Sequence, residues 1–266
     1  MSLGYNDQWG DFGYSTSLVY GRNVNKVKKL VHNYDTGMGT VVDFTETSAG
    51  GGYIREGDSM GDVYVTKVLK RDEQGRIAVD ENGNIASMEL PEGYHLKIGH
   101  TTPDFTMGWR NSFTWKNLSF SFLINARFGG IVTSGTQAVL DQYGVSKASA
   151  LAREAGGVRV ADGQIIDPEK YYSVVGGEQL TAYYYYSATN IRLQEANISY
   201  QLPTRMFGTT FPKITLSLIG RNLFMLYNKA PFDPEIAAST GTYGYGSDYF
   251  GQPSQRSLGF SAKVQF

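Results

Sequence analysis

The chain has 266 residues, a net charge of −1 at pH 7 and no cysteine. The near-neutral charge gives no electrostatic basis for binding nucleic acid, and the lack of cysteine excludes disulfides, thiolate nucleophiles and cysteine-ligated metals. Glycine (32 residues), tyrosine (19) and phenylalanine (14) are abundant while only 18% of residues are charged, a composition typical of a β-protein.

The first predicted strand covers about residues 9–23. Side chains alternate faces along a strand, and bulky residues here recur at every second position. They are Phe12, Tyr14, Thr16, Leu18 and Tyr20. The strand is followed by a lysine-rich stretch, which we interpret as a solvated strand end.

A loop-like pattern extends from residue 31 to residue 102. Within it, residues 72–75 and 80–83 each begin with aspartate and end with glycine, as β-turns do. We predict a hairpin or meander there rather than a calcium site, because the alternating oxygen ligands and distal glutamate of an EF-hand are missing.

The clearest pattern is a hairpin of two strands at about 104–116 and 117–128, joined by a tight turn near Lys116 and Asn117. Both strands alternate strictly between an apolar and a polar face. Three aromatic residues lie toward strand ends on the apolar face, as in the aromatic girdles of membrane barrels. They are Trp109, Trp115 and Phe128.

Residues 129–189 form a long irregular connection. Within it, residues 148–155 are predicted to form a short helix that Gly156 and Gly157 terminate. The connection ends in the run Tyr183, Tyr184, Tyr185 and Tyr186. Two interpretations of this run stay open: the rings stack on sugar or line a partner interface, or they pack within the loop.

Three further strands are predicted at about 190–203, 213–225 and 256–266. In the first of them the apolar parity changes near Gln194 and Glu195, which predicts a β-bulge. A loop at 227–255 carries Asp233, Pro234 and Glu235. The last strand places an apolar residue at every second position, namely Leu258, Phe260, Ala262, Val264 and Phe266.

The connections between the six predicted strands are alternately long loops and tight turns. All long loops therefore lie at one end of the sheet, which is the asymmetry of outer-membrane β-barrels. Eleven residues at a rise of ~3.3 Å and a tilt of ~40° span about 27 Å, close to the ~25 Å apolar band of such barrels. A mean hydropathy of −0.30 is compatible with this, because barrel strands alternate.

An ordered series of short motifs resembles the C-terminal part of SusC/RagA-type TonB-dependent outer-membrane transporters. Each motif is weak alone, but the series covers nearly the whole chain. It consists of residues 23–27, 98–105, 128–130, 191–203, 220–223 and 233–235, and the terminal Phe266.

The resemblance implies a fold class and a set of partners. The fold class is all-β, with about six long antiparallel strands from a large transmembrane barrel, long extracellular loops and short periplasmic turns. Residues 1–266 would be the C-terminal part of the receptor barrel, and the plug domain and N-terminal strands would be absent. The resemblance further implies a bacterial outer-membrane location, uptake of oligosaccharides or peptides powered by the TonB system, a SusD-like surface lipoprotein as partner, and no cofactor. By itself such a fragment is not expected to transport.

Three groups of residues are candidates for function. The candidate lumen-facing residues are Arg110, Arg127, Lys263 and Gln265. The candidate loop contacts to solute or lipoprotein are Tyr183, Tyr184, Tyr185, Tyr186, Asp233 and Glu235. The resemblance implies a barrel-assembly signal at Phe260, Val264 and Phe266.

Two other classes of protein fit these patterns less well than a barrel segment does. A soluble β-sandwich that binds glycan with its loops is the alternative, and it would turn the apolar faces inward. An enzyme is disfavoured, because the three histidines have no zinc-binding spacing and no nucleophile elbow or phosphate-binding loop occurs.

Overall fold

The computed structural model describes residues 1–35, 41–42, 46–49, 52–80, 83–177, 181–203, 212–235 and 246–265. The strands in these ranges are β1 (Ser2–Trp9), β2 (Phe12–Gly21), β3 (Tyr34–Asp35), β4 (Val41–Val42), β5 (Glu46–Ala49), β6 (Gly52–Arg55), β7 (Asp62–Val65), β8 (Lys67–Leu69), β9 (Ser87–Glu89), β10 (Leu96–His100), β11 (Phe105–Trp115), β12 (Leu118–Phe128), β13 (Ile131–Ser134), β14 (Val158–Arg159), β15 (Ile165–Ile166), β16 (Tyr185–Ser187), β17 (Asn190–Gln201), β18 (Lys213–Asn228), β19 (Ser247–Asp248) and β20 (Ser257–Gln265). The helices are α1 (Gly135–Gln142), α2 (Lys147–Glu154) and α3 (Pro168–Gly177), with short 3₁₀ turns at Ala161–Gly163 and Thr181–Tyr184. No helix in the described ranges is long and apolar enough to cross a membrane.

One large antiparallel sheet organises the molecule. Its seven strands are ordered β1-β2-β11-β12-β17-β18-β20, so each strand pairs with its neighbours along the chain once the long loops are left aside. Six of the seven correspond to the strands predicted from the sequence. The alternation therefore identified the sheet and its order of connections.

The seventh strand, β1, is not predicted from the sequence. It pairs with β2 in a hairpin whose turn includes Gly10, with a φ of 59°. Trp9 therefore ends β1 instead of beginning the next strand. The register puts Asp7 on the same face as Tyr5 and Trp9, and this carboxylate interrupts the apolar alternation. Tyr5 partners it, since the phenol donates a hydrogen bond of 2.8 Å to Asp7 Oδ2.

The register of the sheet separates an apolar face from a polar one. Residues paired across antiparallel strands share a face, and the pairs Arg110–Leu123, Arg127–Asn190 and Thr215–Lys263 follow one face across the sheet. The opposite face carries the bulky apolar residues, including Leu218 paired with Phe260. Each face is therefore continuous over many strands.

An irregularity in β17 keeps the two faces continuous. The pairing with β12 shifts so that Leu123 lies opposite Glu195 and Ile124 opposite Leu193, with Gln194 as the extra residue. The parity change in the sequence predicts this bulge, and the structure confirms it.

Several polar groups on the apolar face are hydrogen-bonded to one another, whereas the buried Asn111 Nδ2 has no partner among the described residues. The Tyr14 hydroxyl donates to Asn111 Oδ1 at 2.8 Å, and the Trp109 indole donates to Thr16 Oγ1 at 3.0 Å. Thr16 in turn donates to the Arg110 carbonyl at 3.1 Å. In an apolar environment such partners are needed, since an unpaired polar group costs several kcal/mol.

The short connections lie together at one end of the sheet. The amide of Lys116, in one tight turn, donates to the carbonyl of Asp11 in another at 3.0 Å. Gln201 donates from the end of β17 to the carbonyl of Asn117 at 2.9 Å. The long loops consequently meet at the opposite end.

The long loops form a small folded unit with its own core. Ile77 and Ile85 belong to the first long loop, at about residues 31–102. They pack with Val160, Tyr171 and Val175 from the second long loop, at about residues 129–189. The third loop joins through β19, which pairs in parallel with β13 of the second. All three loops therefore contribute to one structure, which we call the loop unit.

Two turns in the loop unit confirm the prediction made from aspartate and glycine. Gly75 donates to the carbonyl of Asp72 at 2.9 Å, and Gly83 to that of Asp80 at 3.0 Å. Both glycines have a φ of 77°, a value that suits glycine and strains other residues.

The helices of the loop unit are only partly predictable. The helix expected at 148–155 is present as α2, capped by Ser146 and followed by Gly156 at a φ of 80°. The sequence gives no prediction for α1 or α3. Helix α3 begins with Pro168 after Asp167, which accepts a hydrogen bond of 2.8 Å from the Glu169 amide. This is a favourable helix start.

Candidate functional site

The polar face of the sheet holds a cavity at the end where the long loops begin. Its volume is ≈ 670 Å³. The sheet side is formed mainly by polar-face residues of β2, β11 and β12, and the other side includes Pro234 and Glu235 of the third long loop. Two of the predicted lumen-facing residues, Arg110 and Arg127, and one predicted loop residue, Glu235, thus line the same cavity.

An ion pair attaches the third loop to the sheet beside this cavity. Arg192 of β17 donates to Asp233 through two nitrogens, Nη2 to Oδ1 at 2.6 Å and Nη1 to Oδ2 at 3.2 Å. Only 5% of the Arg192 side chain and 7% of the Asp233 side chain are exposed. The planar guanidinium fits a carboxylate in this two-point geometry, so the pair fixes both position and orientation.

Other polar groups complete the surroundings of Arg192. Its Nε lies 3.3 Å from Asn190 Oδ1, and Nη1 lies 3.5 Å from Asn222 Oδ1. Glu235 Oε2 lies 3.4 Å from Nη2. The side-chain Nδ2 of Asn222 also donates to the Gln255 carbonyl at 3.3 Å. Arg192 therefore connects β17, β18 and the third loop.

Burial acts to raise the pKa of Asp233, but hydrogen bonds outweigh it. The Arg192 guanidinium, the Glu235 amide and the Ser254 side chain all donate to the carboxylate, and its pKa lies below the usual value. Asp233 is therefore charged throughout the physiological pH range, and its charge is matched by that of Arg192.

The motif at residues 220–223 makes the contact with Asn222 possible. In the β17–β18 pairing, Leu193 lies opposite Phe224 and Glu195 opposite Arg221, so Asn222 falls in an irregularity. Its φ of 52° is left-handed, a conformation that asparagine tolerates better than most residues. At Gly220, a Cβ would meet the Leu223 side chain at 2.7 Å.

A second charged group crosses the polar face. Glu195 lies between two arginines, with Oε1 3.9 Å from Arg110 Nη1 and Oε2 3.4 Å from Arg221 Nε. Half of the Arg110 side chain is exposed. Since the pairs are long and solvated, we expect each to contribute little to stability, and Arg110 stays available on the cavity wall.

Arg127 is buried and supports the loop before β11. Its Nη2 donates to the Thr101 carbonyl at 2.6 Å. Gly130 lies against both groups, because a Cβ there would be 3.1 Å from Arg127 Nη2 and 3.1 Å from the Thr101 oxygen. Its φ is 80°. The glycine pair after β12 thus allows the loops to approach each other closely.

The other predicted lumen-facing residues lie on β20 at one edge of the sheet. The register puts Lys263 and Gln265 on the polar face. The predicted assembly residues Phe260 and Val264 are exposed on the apolar face of the same strand. Phe266 lies outside the described residues.

The tyrosine run lies inside the loop unit. Tyr184 is 2% exposed and donates to Asp141 Oδ2 at 3.1 Å. Burial, together with the charge of Asp141, raises the pKa of Tyr184. Tyr183, Tyr185 and Tyr186 are partly exposed, and the hydroxyl of Tyr183 lies 3.4 Å from that of Tyr171.

Sequence reasoning missed Arg192, Asn222 and Glu195 as members of the site. A usable signal was present for Arg192, because an arginine on a strand needs a carboxylate partner when it is buried. Asp233 is itself a candidate from the sequence, but no local pattern relates it to Arg192, 41 positions away. Among the described residues, no group of three or more histidine, aspartate or glutamate side chains is arranged to hold a metal ion.

Comparisons with known proteins find a relative in sequence and several structures with a similar fold. TonB-dependent receptor P3 of Formosa agariphila is 25% identical over 280 residues, which cover 96% of this chain and 27% of the relative. The RagAB peptide importer in its closed-closed state matches with a TM-score of 0.70 and 17% identity, over 100% of this chain and 29% of the matched one. Its open-open state matches with a TM-score of 0.64 and 16% identity, over 100% and 28%. No family model matches.

The chain therefore resembles a segment of a TonB-dependent receptor in sequence, and its fold is that of a portion of the RagAB importer. The resemblance predicted from the ordered motifs is confirmed, and so is the all-β fold class. The chain spans about 27% of the curated relative's length.

Proposed function

We propose that this chain forms part of the wall of a TonB-dependent importer in the bacterial outer membrane. In this arrangement the apolar face contacts lipid, the polar face lines the solute path, and the loop unit lies outside the cell. The apolar face carries the proposal most directly, because nothing in the described residues covers it. Leu258 is 81% exposed there and Phe260 is 67% exposed.

The uncovered apolar face separates this proposal from a soluble sandwich. A sandwich buries the apolar face of one sheet against a second sheet about 10 Å away. Across the described ranges, the loops instead fold against the polar face and around their own core. A continuous apolar surface of this extent on a soluble monomer would be unusual.

The two edge strands support membership in a larger barrel. Strands β1 and β20 each pair on one side only, and unpaired strand edges do not persist in lipid. Seven strands are also too few to enclose a path for a bulky solute. The remaining strands of the complete protein would close the barrel, and this chain alone would not transport.

The solute is proposed to be a peptide or an oligosaccharide, and the partner a SusD-like surface lipoprotein. The support is the likeness to structures of a peptide importer and the folded loop unit, which offers a preformed surface at the outer end. Glu235 and the exposed parts of Tyr183, Tyr185 and Tyr186 are the proposed contacts. Asp233, also a candidate from the sequence, is not one of them, because it is buried against Arg192. The TonB system would act through parts of the complete protein outside this chain.

Fractionation of cells that express the complete protein tests this function. We expect the protein in the outer-membrane fraction, extractable only with detergent, and we expect co-purification of a surface lipoprotein. Recovery of a folded, detergent-free protein in the soluble fraction would contradict the proposal.

A further inference from the structure

The third long loop is held against the polar face by a small set of contacts. We call residues 229–235 the lining segment. Asn228, at the end of β18, donates to the Phe232 carbonyl at 2.7 Å and accepts from the Ala230 amide at 3.1 Å. Ala230 packs with Val132 and Ala188 in a small apolar cluster. These contacts fix the start of the segment, and Asp233 fixes its end.

We propose that Arg192 is a positioning residue that holds the lining segment at the cavity and thereby places the Glu235 carboxylate on the cavity wall. The proposal rests on the proposed function in one respect only, since it takes the polar face as the solute path. Arg192 would not contact solute itself, because it is buried behind Asp233 and Asn222.

The geometry supports a role beyond general stability. Asp233 and Glu235 share one guanidinium, and the Glu235 amide also donates to Asp233 Oδ1 at 3.0 Å. Glu235 is the more exposed of the two carboxylates, with 41% of its side chain accessible. The charge of Arg192 is thus balanced by that of the buried Asp233. The charge of Glu235 is the unbalanced one among these three residues, and it faces the cavity.

Removal of Arg192 would release the segment because it leaves Asp233 buried and unpaired. A buried carboxylate without its partner is strongly unfavourable, and the segment can relieve this by moving Asp233 into water. Glu235 would then leave the wall with it. If the Arg192–Asp233 pair served stability alone, removal of Arg192 would not be expected to move Glu235 away from the cavity wall.

Hydrogen exchange in the complete protein tests whether Arg192 holds the segment. We expect Arg192→Gln and Asp233→Asn to speed amide exchange in residues 229–235 at least tenfold, with exchange in β17 and β18 unchanged. Arg221→Gln is the matched control, because it also removes a guanidinium from the polar face. The Arg221 side chain is 66% exposed, whereas that of Arg192 is buried. We expect it to change exchange less than twofold. Unchanged exchange in Arg192→Gln, or an equal rise throughout the sheet, would overturn the proposal.

Charge-selective labelling tests whether Glu235 is placed by Arg192. Thr106 lies on the cavity wall, and a cysteine introduced there is the only cysteine in this chain. The rate at which this cysteine reacts with a cationic thiosulfonate is compared with its rate of reaction with an anionic one. If the segment leaves, Arg192→Gln lowers the cation-to-anion ratio at least threefold, as Glu235→Gln does. If Glu235 stays, loss of the arginine charge raises the ratio, which would refute the positioning role.

The two measurements separate failure of this inference from failure of the proposed function. A cysteine at position 106 that no water-soluble reagent reaches in any variant would contradict the solute path. The exchange measurement does not depend on that path and would still decide whether Arg192 holds the segment.

Discussion

The hydroxyl of Tyr14 in β2 donates a 2.8 Å hydrogen bond to the side-chain oxygen of Asn111 in β11, across the apolar face of the sheet. Asn111 is 1% exposed and its Nδ2 has no partner in the described part of the chain, so this side-chain amide depends on Tyr14 to satisfy its oxygen. In lipid the dependence is stronger, since no water can replace the phenol.

Tyr14→Phe should therefore destabilise the complete protein by about 1–3 kcal/mol, the usual cost of leaving a buried polar group unsatisfied. Urea unfolding from lipid vesicles measures this. Tyr20→Phe is the control, because Tyr20 lies at the loop end of the same strand, where headgroups and water can solvate a hydroxyl. Equal effects of the two changes would show that the Tyr14–Asn111 bond contributes nothing specific.

A second prediction concerns the close approach of α1 and α3. At Gly176 a Cβ would clash with the Ala138 carbonyl oxygen, which is backbone and cannot turn aside. At Gly177 the nearest atom is 3.0 Å away, at the end of the flexible Gln142 side chain. Gly176→Ala should cost about 1–3 kcal/mol, as overpacking does, whereas Gly177→Ala should be tolerated. Limited proteolysis of the loop unit would report the difference, and equal protease resistance would contradict the packing.

The low pKa of Asp233 predicts a pH dependence with a defined sign. The ordinary value is 3.8, and the folded value is lower. Stabilisation from such a group is fully present above its ordinary pKa and is lost as the pH falls through the folded pKa. Exchange protection of residues 229–235, corrected for the intrinsic rate, should be constant from pH 7 to pH 5 and fall only below about 4. Asp233→Asn should abolish this dependence. A loss of protection already between pH 7 and pH 5 would mean that another group controls the segment.

A fourth prediction concerns Phe266, the aromatic residue proposed to direct barrel assembly. Phe266→Ala in the complete protein should reduce the amount of folded protein in the outer membrane several-fold. Gln265→Ala, a neighbouring change on the polar face, should leave the amount near normal. Heat-modified mobility on gels measures the folded fraction. Normal assembly of the Phe266→Ala protein would remove the proposed role.

The sheet is predictable from the sequence because its signal is local. Alternation over eleven residues, as in β11 and β12, fixes both the strand and its two faces. The bulge at Gln194 is also visible, since it shifts the parity of the apolar residues. Strand β1 escapes because Asp7 breaks the alternation, and the interaction with Tyr5 that accommodates it depends on the rotamers of two side chains.

The candidate site is less predictable because its contacts are non-local. Arg192 and Asp233 are 41 positions apart, and neither strand periodicity nor turn chemistry relates them. The tyrosine run shows the same limit. Its sequence leaves solute contact and loop packing open, and only the fold shows that Tyr184 reaches Asp141.

We propose that the apolar face of the sheet contacts lipid and that the polar face contacts water. Single cysteines along residues 257–264 of the complete protein, spin-labelled in lipid bilayers, measure this through accessibility to oxygen and to a water-soluble nickel complex. We expect a two-residue period, with Leu258, Phe260 and Val264 accessible to oxygen and Ser257, Ser261 and Lys263 accessible to nickel. Nickel accessibility at every position, or a period of the opposite phase, would show that the apolar face does not contact lipid.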